Sequence, residues 1–262
     1  MFPSNIHNLI EQPSFDQDLR ARLEEWGKFP SFIEFVNQNE TKIAKNLRTK
    51  VTDEDKRDIG VELYVGFIFS EANCQVIYEP DVPSISRNPD FKITFESNCF
   101  YFEVKRLREY IPALEHVKID NETGDKTYMI DNEKMLRKCG DVICEKIGQT
   151  VPRAVNLVYI RTYIANAPNI WDIQSAVKSL TEWKGTDPHG FEEKIKRYRI
   201  YTIDEFNAYW KQLSAIAISR LKGDPSQIWE NPDSLNPLPQ DVKSKIEEAT
   251  ALSFRYDSLL FD

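Results

Sequence analysis

The chain has 262 residues, 41% of them hydrophobic, and a formal net charge of −8. A chain of this length and composition can bury a large core, which excludes a generally disordered protein. The acidic balance argues against a protein coated in base for nonspecific nucleic-acid binding, because phosphate affinity comes chiefly from Lys and Arg.

The sequence pattern predicts neither a membrane span nor a signal peptide. There is no run of about 18 or more apolar residues, and the first residues lack a basic segment followed by an apolar one. The four cysteines form no CxxC pair and have no histidine at zinc-site spacing. We therefore expect a cytoplasmic protein with no membrane partner, in which the cysteines are small buried groups.

Two helices are predicted at the start of the chain. A capping-box pattern occurs at residues 14–17 and is followed by an apolar stripe. A second such pattern at residues 31–34 predicts a helix that continues to about residue 47. We expect residues 1–51 to form an N-terminal helical extension.

A third helix is predicted from Asp53 to about Ala72. Thr52 is suited to cap it, and acids fill the first turn, where the helix dipole favours them. Residues 59–69 are apolar all round, so this helix should be largely buried. Glu62 is the one charged residue in that run.

The remaining elements alternate between strands and helices. Short β-rich runs lie at residues 75–78, 91–95 and 100–106, and the polar turn at 96–98 predicts a hairpin between the last two. A polar stretch after them predicts a long loop. The later pattern predicts helices at about 131–148, 171–183, 203–211 and 241–252, and buried strands at 154–160 and 214–219. This order predicts an α/β fold with a mixed β-sheet flanked by helices.

The predicted hairpin gathers charged residues of both signs. Side chains two apart on a strand share a face at roughly 7 Å spacing, so Glu103 and Lys105 project together while Phe102 and Val104 enter the core. Asp90 begins the preceding strand. A hairpin would bring Asp90 beside Glu103.

Glu62 supplies a third carboxylate to this region. Its helix directly precedes the strands of Asp90 and Glu103, and an ionised glutamate in a buried helix is costly unless it is paired or binds a metal. Two like charges about 4 Å apart repel by roughly 4 kcal/mol at an effective dielectric near 20. A hard divalent cation removes this repulsion, and carboxylate ligands suit Mg²⁺, or Mn²⁺ as a substitute, better than zinc. Such an ion would polarise a phosphodiester and acidify a water that Lys105 orients or deprotonates.

These residues also carry a family resemblance. Pro89-Asp90, twelve intervening residues and Glu103-Val104-Lys105 resemble the PD-(D/E)xK signature of restriction-endonuclease-like nucleases. Glu62 resembles the upstream helical glutamate of Holliday-junction resolvases and related members. The resemblance covers roughly residues 52–159.

The resemblance implies a fold, a reaction and a set of ligands. Residues 52–262 would form a restriction-endonuclease-like nuclease domain with C-terminal additions, acting on DNA as a Mg²⁺-dependent phosphodiester hydrolase. Asp90, Glu103 and Glu62 would bind the metal together with Val104, the residue between the motif's acid and lysine. Lys105 would assist the attacking water.

Alternatives remain open at the level of single residues. The acid-x-Lys triplet occurs six times in the chain, and Pro80-Asp81 competes with Pro89-Asp90 for the first acid. In isolation, Glu103 and Lys105 fit an exposed charge pair worth at most about 1 kcal/mol. Asp90 is preferred because Asp81 precedes a loop that would separate it from the hairpin.

Basic residues near the motif are candidates for nucleic-acid contacts. Arg106 and Arg108 continue the strand of Lys105, and Lys134 and Lys138 lie one turn apart on the following helix. Such clusters are more often solvated faces than binding sites. A homodimer would suit the cutting of two strands, although no residue identifies an interface.

A noncatalytic nucleic-acid-binding or regulatory module on the same or another α/β fold is the competing prediction. The negative net charge favours it. The sequence does not distinguish DNA from RNA, or internal cutting from cutting at ends.

Overall fold

A computed structural model describes residues 2–12, 15–49, 52–83, 85, 87–107, 117–119, 126–128, 132–162, 168–219 and 226–256. The helices in this part of the chain are α1 (Ser4–Ile10), α2 (Gln17–Trp26), α3 (Pro30–Gln38), α4 (Glu40–Thr49), α5 (Asp53–Glu71), α6 (Asn132–Ile147), α7 (Ile170–Thr186), α8 (Pro188–Lys196), α9 (Ile203–Gln212) and α10 (Gln240–Tyr256). The strands are β1 (Gln75–Tyr78), β2 (Phe91–Phe95), β3 (Asn98–Leu107), β4 (Val117–Ile119), β5 (Lys126–Tyr128), β6 (Val155–Thr162), β7 (Ala215–Ser219) and β8 (Gln227–Glu230).

Six of the strands form one mixed sheet in the order β1-β2-β3-β6-β7-β8. Strands β1, β2 and β3 are joined as an antiparallel meander, and β3, β6 and β7 run parallel to one another. Helix α6 makes the crossover from β3 to β6, as a parallel connection requires. The sequence-based prediction of an α/β fold with a mixed sheet flanked by helices is confirmed.

Each face of the sheet buries its own apolar cluster. Residues of α1 to α5 and α10 pack on one face, and residues of α6 to α9 pack on the other. The first cluster is rich in aromatic rings, with Phe32 of α3 edge-on to Phe67 of α5 and Phe35 tilted against Phe91 of β2. The N-terminal helices therefore share a core with the sheet.

Helix α5 and the β2–β3 hairpin form where the sequence predicts them. The Thr52 hydroxyl accepts a hydrogen bond from the Asp55 N–H at 3.1 Å and caps α5. In β2, buried and half-buried residues alternate, which is the pattern of a strand covered on one face. Glu96 adopts φ 50° in the turn that joins the two strands.

The N-terminal helices differ from the prediction in two respects. Asp16 caps α2 by accepting from the Leu19 N–H, whereas the predicted cap, Ser14, lies outside the described residues. The single helix predicted from residue 31 to 47 is interrupted at Asn39. The side chain of Asn39 donates to the carbonyl of Val76 and accepts from the N–H of Tyr78, so hydrogen bonds to the edge strand replace helix continuation.

Several short elements were not predicted. Helices α1 and α8 and strand β8 have nine residues or fewer. Strands β4 and β5 form a small separate ladder, with β4 inside the stretch of residues 108–126 predicted as a loop and β5 beginning at its last residue. Among the described residues, none of the helices has the length and apolar character needed to cross a bilayer.

Candidate active site

Asp90 and Glu103 meet at the start of the hairpin. Phe91 pairs with Phe102 in the antiparallel register, so Asp90, immediately before β2, is level with Glu103. The Asp90 N–H donates to Glu103 Oε1 at 3.2 Å, and the Val104 N–H donates to Asp90 Oδ2 at 2.7 Å. These reciprocal bonds fix the two predicted acids side by side.

The face that carries Glu103 is covered, and this differs from the predicted open face. Phe102 and Val104 enter the core on the other side as expected, but Glu103 is as buried as Val104, with 4% of each exposed. Helix α6 packs over β3 and removes Glu103 from water.

A lysine that the sequence analysis did not select lies between the two acids. Lys146 on α6 donates to Asp90 Oδ2 at 2.8 Å and to Glu103 Oε2 at 3.0 Å. Its side chain is 8% exposed. The ammonium group therefore occupies the point on which both carboxylates converge.

The charges of this cluster shift one another's proton affinities. Burial, and then the neighbouring Asp90, raises the pKa of Glu103 well above its usual range, although Lys146 opposes the shift. Burial alone would lower the pKa of Lys146, but the two carboxylates outweigh it and hold that pKa above its ordinary value. Lys146 thus stays protonated, and Glu103 takes up a proton more readily than an ordinary glutamate does.

Lys105 lies on the same strand face as Glu103 but has a different partner. Its ammonium group donates to Glu145 Oε1 at 2.8 Å. Both side chains are partly exposed, at 26% and 33%. Adjacent residues of α6, Glu145 and Lys146, therefore hold the motif lysine and the motif acids.

Glu62 does not join the carboxylate pair. It is half-buried and accepts a hydrogen bond from the hydroxyl of Tyr78 on β1, and the Tyr78 hydroxyl in turn accepts from Asn46 Nδ2 at 2.7 Å. Burial, and then the charge of Glu62, raises the pKa of Tyr78 well above its usual value. The predicted three-carboxylate cluster of Glu62 with Asp90 and Glu103 is not found among the described residues.

The rival first acid is separate from the hairpin site. Asp81 is exposed, and its carboxylate lies 3.3 Å from the ammonium group of Lys42 on α4 and 3.3 Å from Asn88 Nδ2. The choice of Asp90 over Asp81 therefore agrees with the geometry.

Asp90 and Glu103 are the two carboxylates of this site that could bind a metal ion. Within the described part of the chain, no three His, Cys, Asp or Glu side chains are grouped to hold a metal ion. Asp90 and Glu103 nevertheless direct oxygens at one point, where the Lys146 ammonium group stands in for a cation. Mg²⁺ keeps several waters and is commonly held by one or two carboxylates. Two carboxylates therefore match the number that Mg²⁺ commonly takes from a protein, but Lys146 stands at that position, and the ligand roles of Asp90, Glu103 and Val104 stay predictions.

The predicted nucleic-acid contacts fall in different environments. Arg106 is buried and pairs with Asp58 at 2.7 Å and with Glu54, so it ties β3 to α5 instead of extending the surface. Lys134 is exposed and Lys138 is half-buried on α6. Desolvation, and then Lys134, lowers the pKa of Lys138. Arg108 lies outside the described residues.

A signal for Lys146 was present in the sequence. The apolar stripe of α6 includes Cys139 and Ile143, and Lys146 lies seven and three residues after them. A lysine on the buried stripe of an amphipathic helix requires a buried acid as a partner.

A scan against family models and searches of curated proteins and solved structures gave no significant match to this chain.

Proposed function

We propose that the chain is a Mg²⁺-dependent nuclease that hydrolyses DNA phosphodiester bonds at a PD-(D/E)xK site built on a restriction-endonuclease-like core. The observation that carries the proposal is the convergence of the Asp90 and Glu103 carboxylates on one cationic position. The succession of α5, a three-stranded meander, α6 and parallel β6 is consistent with such a core.

The two acids are prepared for a cation before it binds. The Asp90 carboxylate accepts a hydrogen bond from the Val104 N–H at 2.7 Å, and the Glu103 carboxylate accepts one from the Asp90 N–H at 3.2 Å. These bonds limit the rotation of both side chains. When bound, Mg²⁺ would supply electrostatic stabilisation of the charge that develops on the phosphoryl oxygens.

The two lysines would have separate tasks. Lys105, steadied by Glu145, would hold the attacking water from the exposed side of the strand. Lys146 would neutralise the carboxylates while the site is without metal and would leave this position when the cation enters. Its four-carbon stem gives the ammonium group the freedom to do so.

Cleavage of DNA by the purified chain tests the proposal. We expect plasmid and short duplex DNA to be cut with Mg²⁺ or Mn²⁺ and to be left intact with a chelator. Asp90→Asn and Lys105→Met should each lower the rate at least about 100-fold, the scale of general acid–base and electrostatic contributions. Lys92→Met is the matched control. Lys92 pairs with Tyr101, which lies two residues before Glu103, so Lys92 is on the same face of the sheet as the acids. Equal rates in the site variants and the control would refute the nuclease function.

A noncatalytic nucleic-acid-binding module is the second candidate, and the position of Lys146 favours it. A lysine bound by both acids can replace a metal permanently, and Glu62 is engaged by Tyr78. In that case DNA would bind equally well with Mn²⁺ and with chelator, and no variant of Lys146 would gain Mn²⁺ affinity. Mn²⁺ titration of wild type and Lys146→Met separates the two functions.

A further inference from the structure

A polar pocket lies next to Glu145, the residue that precedes Lys146 on α6. It has a volume of about 270 Å³ and is lined by Arg87, Glu145, Arg197, Tyr198 and Arg199. Three of these five residues carry guanidinium groups, which makes the pocket strongly basic in a chain of net charge −8. The carboxylate in the lining, that of Glu145, is already bound to Lys105.

The three arginines are available to a ligand. All three residues are exposed, and within the described part of the chain their guanidinium groups form no ion pair or hydrogen bond. Lys196, and to a smaller extent Arg197, lower the pKa of the exposed Glu193, so Arg197 has an acid in range but no hydrogen bond to it. Guanidinium groups without a hydrogen-bonded partner keep their N–H donors for an anion.

The turn after α8 positions two of the arginines. Arg197 follows the last residue of α8, and Arg199 adopts φ 64°, a left-handed conformation that glycine enters without steric cost. Between them, Tyr198 is held by a side-chain hydrogen bond with Asp141 of α6. Ile200, which follows, is fully buried. The turn is thus anchored to α6 while both guanidinium groups stay at the surface.

The third arginine links this pocket to the candidate active site. Arg87 lies three residues before Asp90, and the carbonyl of Asn88 between them accepts from Gln149 Nε2 at 3.0 Å. Glu145 in the pocket is adjacent in sequence to Lys146, which contacts Asp90. Because Glu145 also binds Lys105 at 2.8 Å, the pocket adjoins the motif lysine.

We propose that Arg87, Arg197 and Arg199 bind a phosphate group of the nucleic-acid strand whose neighbouring phosphodiester lies at Asp90 and Glu103, an inference that rests on the proposed function. Guanidinium groups match phosphate with paired, charge-assisted hydrogen bonds. A strand carries phosphates in regular succession, so a strand held at the acids presents another one nearby.

A small phosphorylated compound would share the phosphate chemistry, but an exposed aromatic residue favours a strand. Tyr201, two residues after Arg199, is 62% exposed. Bases stack on such rings with little sequence preference, and basic residues interleaved with aromatic ones are typical of single-strand binding. A mononucleotide bound at the pocket gains no contact at the carboxylate pair.

Binding of fluorescein-labelled single-stranded DNA in chelator tests the pocket without cleavage. We expect the double variant R197Q/R199Q to bind at least about tenfold more weakly than wild type, and the salt dependence of log Kd to fall by about 0.7, as for the loss of one phosphate contact on a single strand. R87Q should act in the same direction. Unchanged affinity and unchanged salt dependence in these variants would overturn the assignment.

R153Q is the matched control. Arg153 is exposed and adopts φ 60°, close to that of Arg199, so both changes have the same backbone consequences. It precedes β6 at the end of the sheet away from the acids, because Val155 is level with Phe100 and Val158 with Glu103. Its affinity should stay within about twofold of wild type.

Two further arms identify the source of the phosphate and separate the inference from the nuclease function. Thymidine monophosphate should compete poorly with the oligonucleotide, and Y201A should weaken oligonucleotide binding but not competition by inorganic phosphate. Equal binding of the mononucleotide and the oligonucleotide would overturn the assignment to a strand. If R197Q/R199Q binds DNA weakly, the pocket is supported, even when Asp90→Asn leaves cleavage unchanged and the nuclease function fails. Cleavage that depends on Asp90 together with full DNA binding by R197Q/R199Q refutes the pocket alone.

Discussion

Replacing Lys146 with methionine removes the cation between two buried carboxylates while keeping an unbranched apolar side chain only one atom shorter. Asp90 and Glu103 are 17% and 5% exposed at their side chains. Each directs an oxygen to within 3.0 Å of the same nitrogen. The substitution therefore leaves two like charges together with little water to screen them.

The magnitude follows from these distances. The two oxygens are no more than about 6 Å apart, since each is bonded to the same nitrogen, and two charges at that separation repel by about 3 kcal/mol at an effective dielectric of 20. Removing one partner of a buried ion pair costs about 3–5 kcal/mol in general. We expect Lys146→Met to lower the free energy of unfolding by about 3 kcal/mol at pH 8 in chelator.

Urea denaturation measures this loss. The loss should shrink as the pH falls, because burial, and then Asp90, raises the pKa of Glu103, and a protonated Glu103 no longer repels Asp90. Mn²⁺ should also restore stability, by about 2.7 kcal/mol when its concentration is 100 times the Kd. Lys243→Met is the control, since Lys243 pairs with a half-exposed Glu230 and should cost no more than about 1 kcal/mol. A loss in Lys146→Met as small as in this control would refute the reasoning.

Three further predictions concern the site and the core around it. Glu103→Gln should flatten the pH dependence of stability. Burial, and then Asp90, raises the pKa of Glu103, so the folded chain holds this proton more tightly than the unfolded chain does. Wild-type stability should therefore fall as the pH rises above 4.5, the ordinary pKa of a glutamate. Urea titrations from pH 4 to 8 measure the slope, and parallel curves for both proteins would contradict the shift. Tyr78→Phe should cost about 1–3 kcal/mol in unfolding free energy, because it removes a buried donor to Glu62; a loss below about 0.5 kcal/mol would show that this bond is unimportant. Gly66→Ala should lower the melting temperature, because a Cβ would overlap an aromatic ring of α3 and overpacking of about 1–3 kcal/mol exceeds the gain in helix propensity. Gly185→Ala should leave the melting temperature unchanged, because a Cβ there meets nothing within 4 Å. Equal melting temperatures for Gly66→Ala and Gly185→Ala would count against close packing of α5.

Local patterns were sufficient to predict the elements that carry the motif. The cap at Thr52, the apolar run after it and the period-two alternation of β2 and β3 depend on interactions within a few residues, so the sequence reveals them directly. The meeting of Asp90 and Glu103 followed from the hairpin, because a short turn fixes the register. The helix cap, the strand pattern and the hairpin register all depend on residues that are close together in the sequence.

The errors arose where a distant element decides the outcome. The strand face of Glu103 looked open because alternation shows which side chains share a face, but not what covers it, and α6 lies about 40 residues further along the chain. Lys105 was expected at the acids and is held by Glu145 instead, one residue before the lysine that does contact them. Asn39 ends α3 through bonds to β1, a strand whose position relative to the helix cannot be read from local periodicity.

We propose that Asp90 and Glu103 form a cation site that Lys146 occupies in the absence of metal. Anomalous diffraction from a crystal soaked in Mn²⁺ tests it most directly. We expect a Mn²⁺ peak within about 2.5 Å of oxygens from both carboxylates, with the Lys146 ammonium group moved away from them. Lys146 still bonded to both acids, with no peak beside them at saturating Mn²⁺, would contradict it.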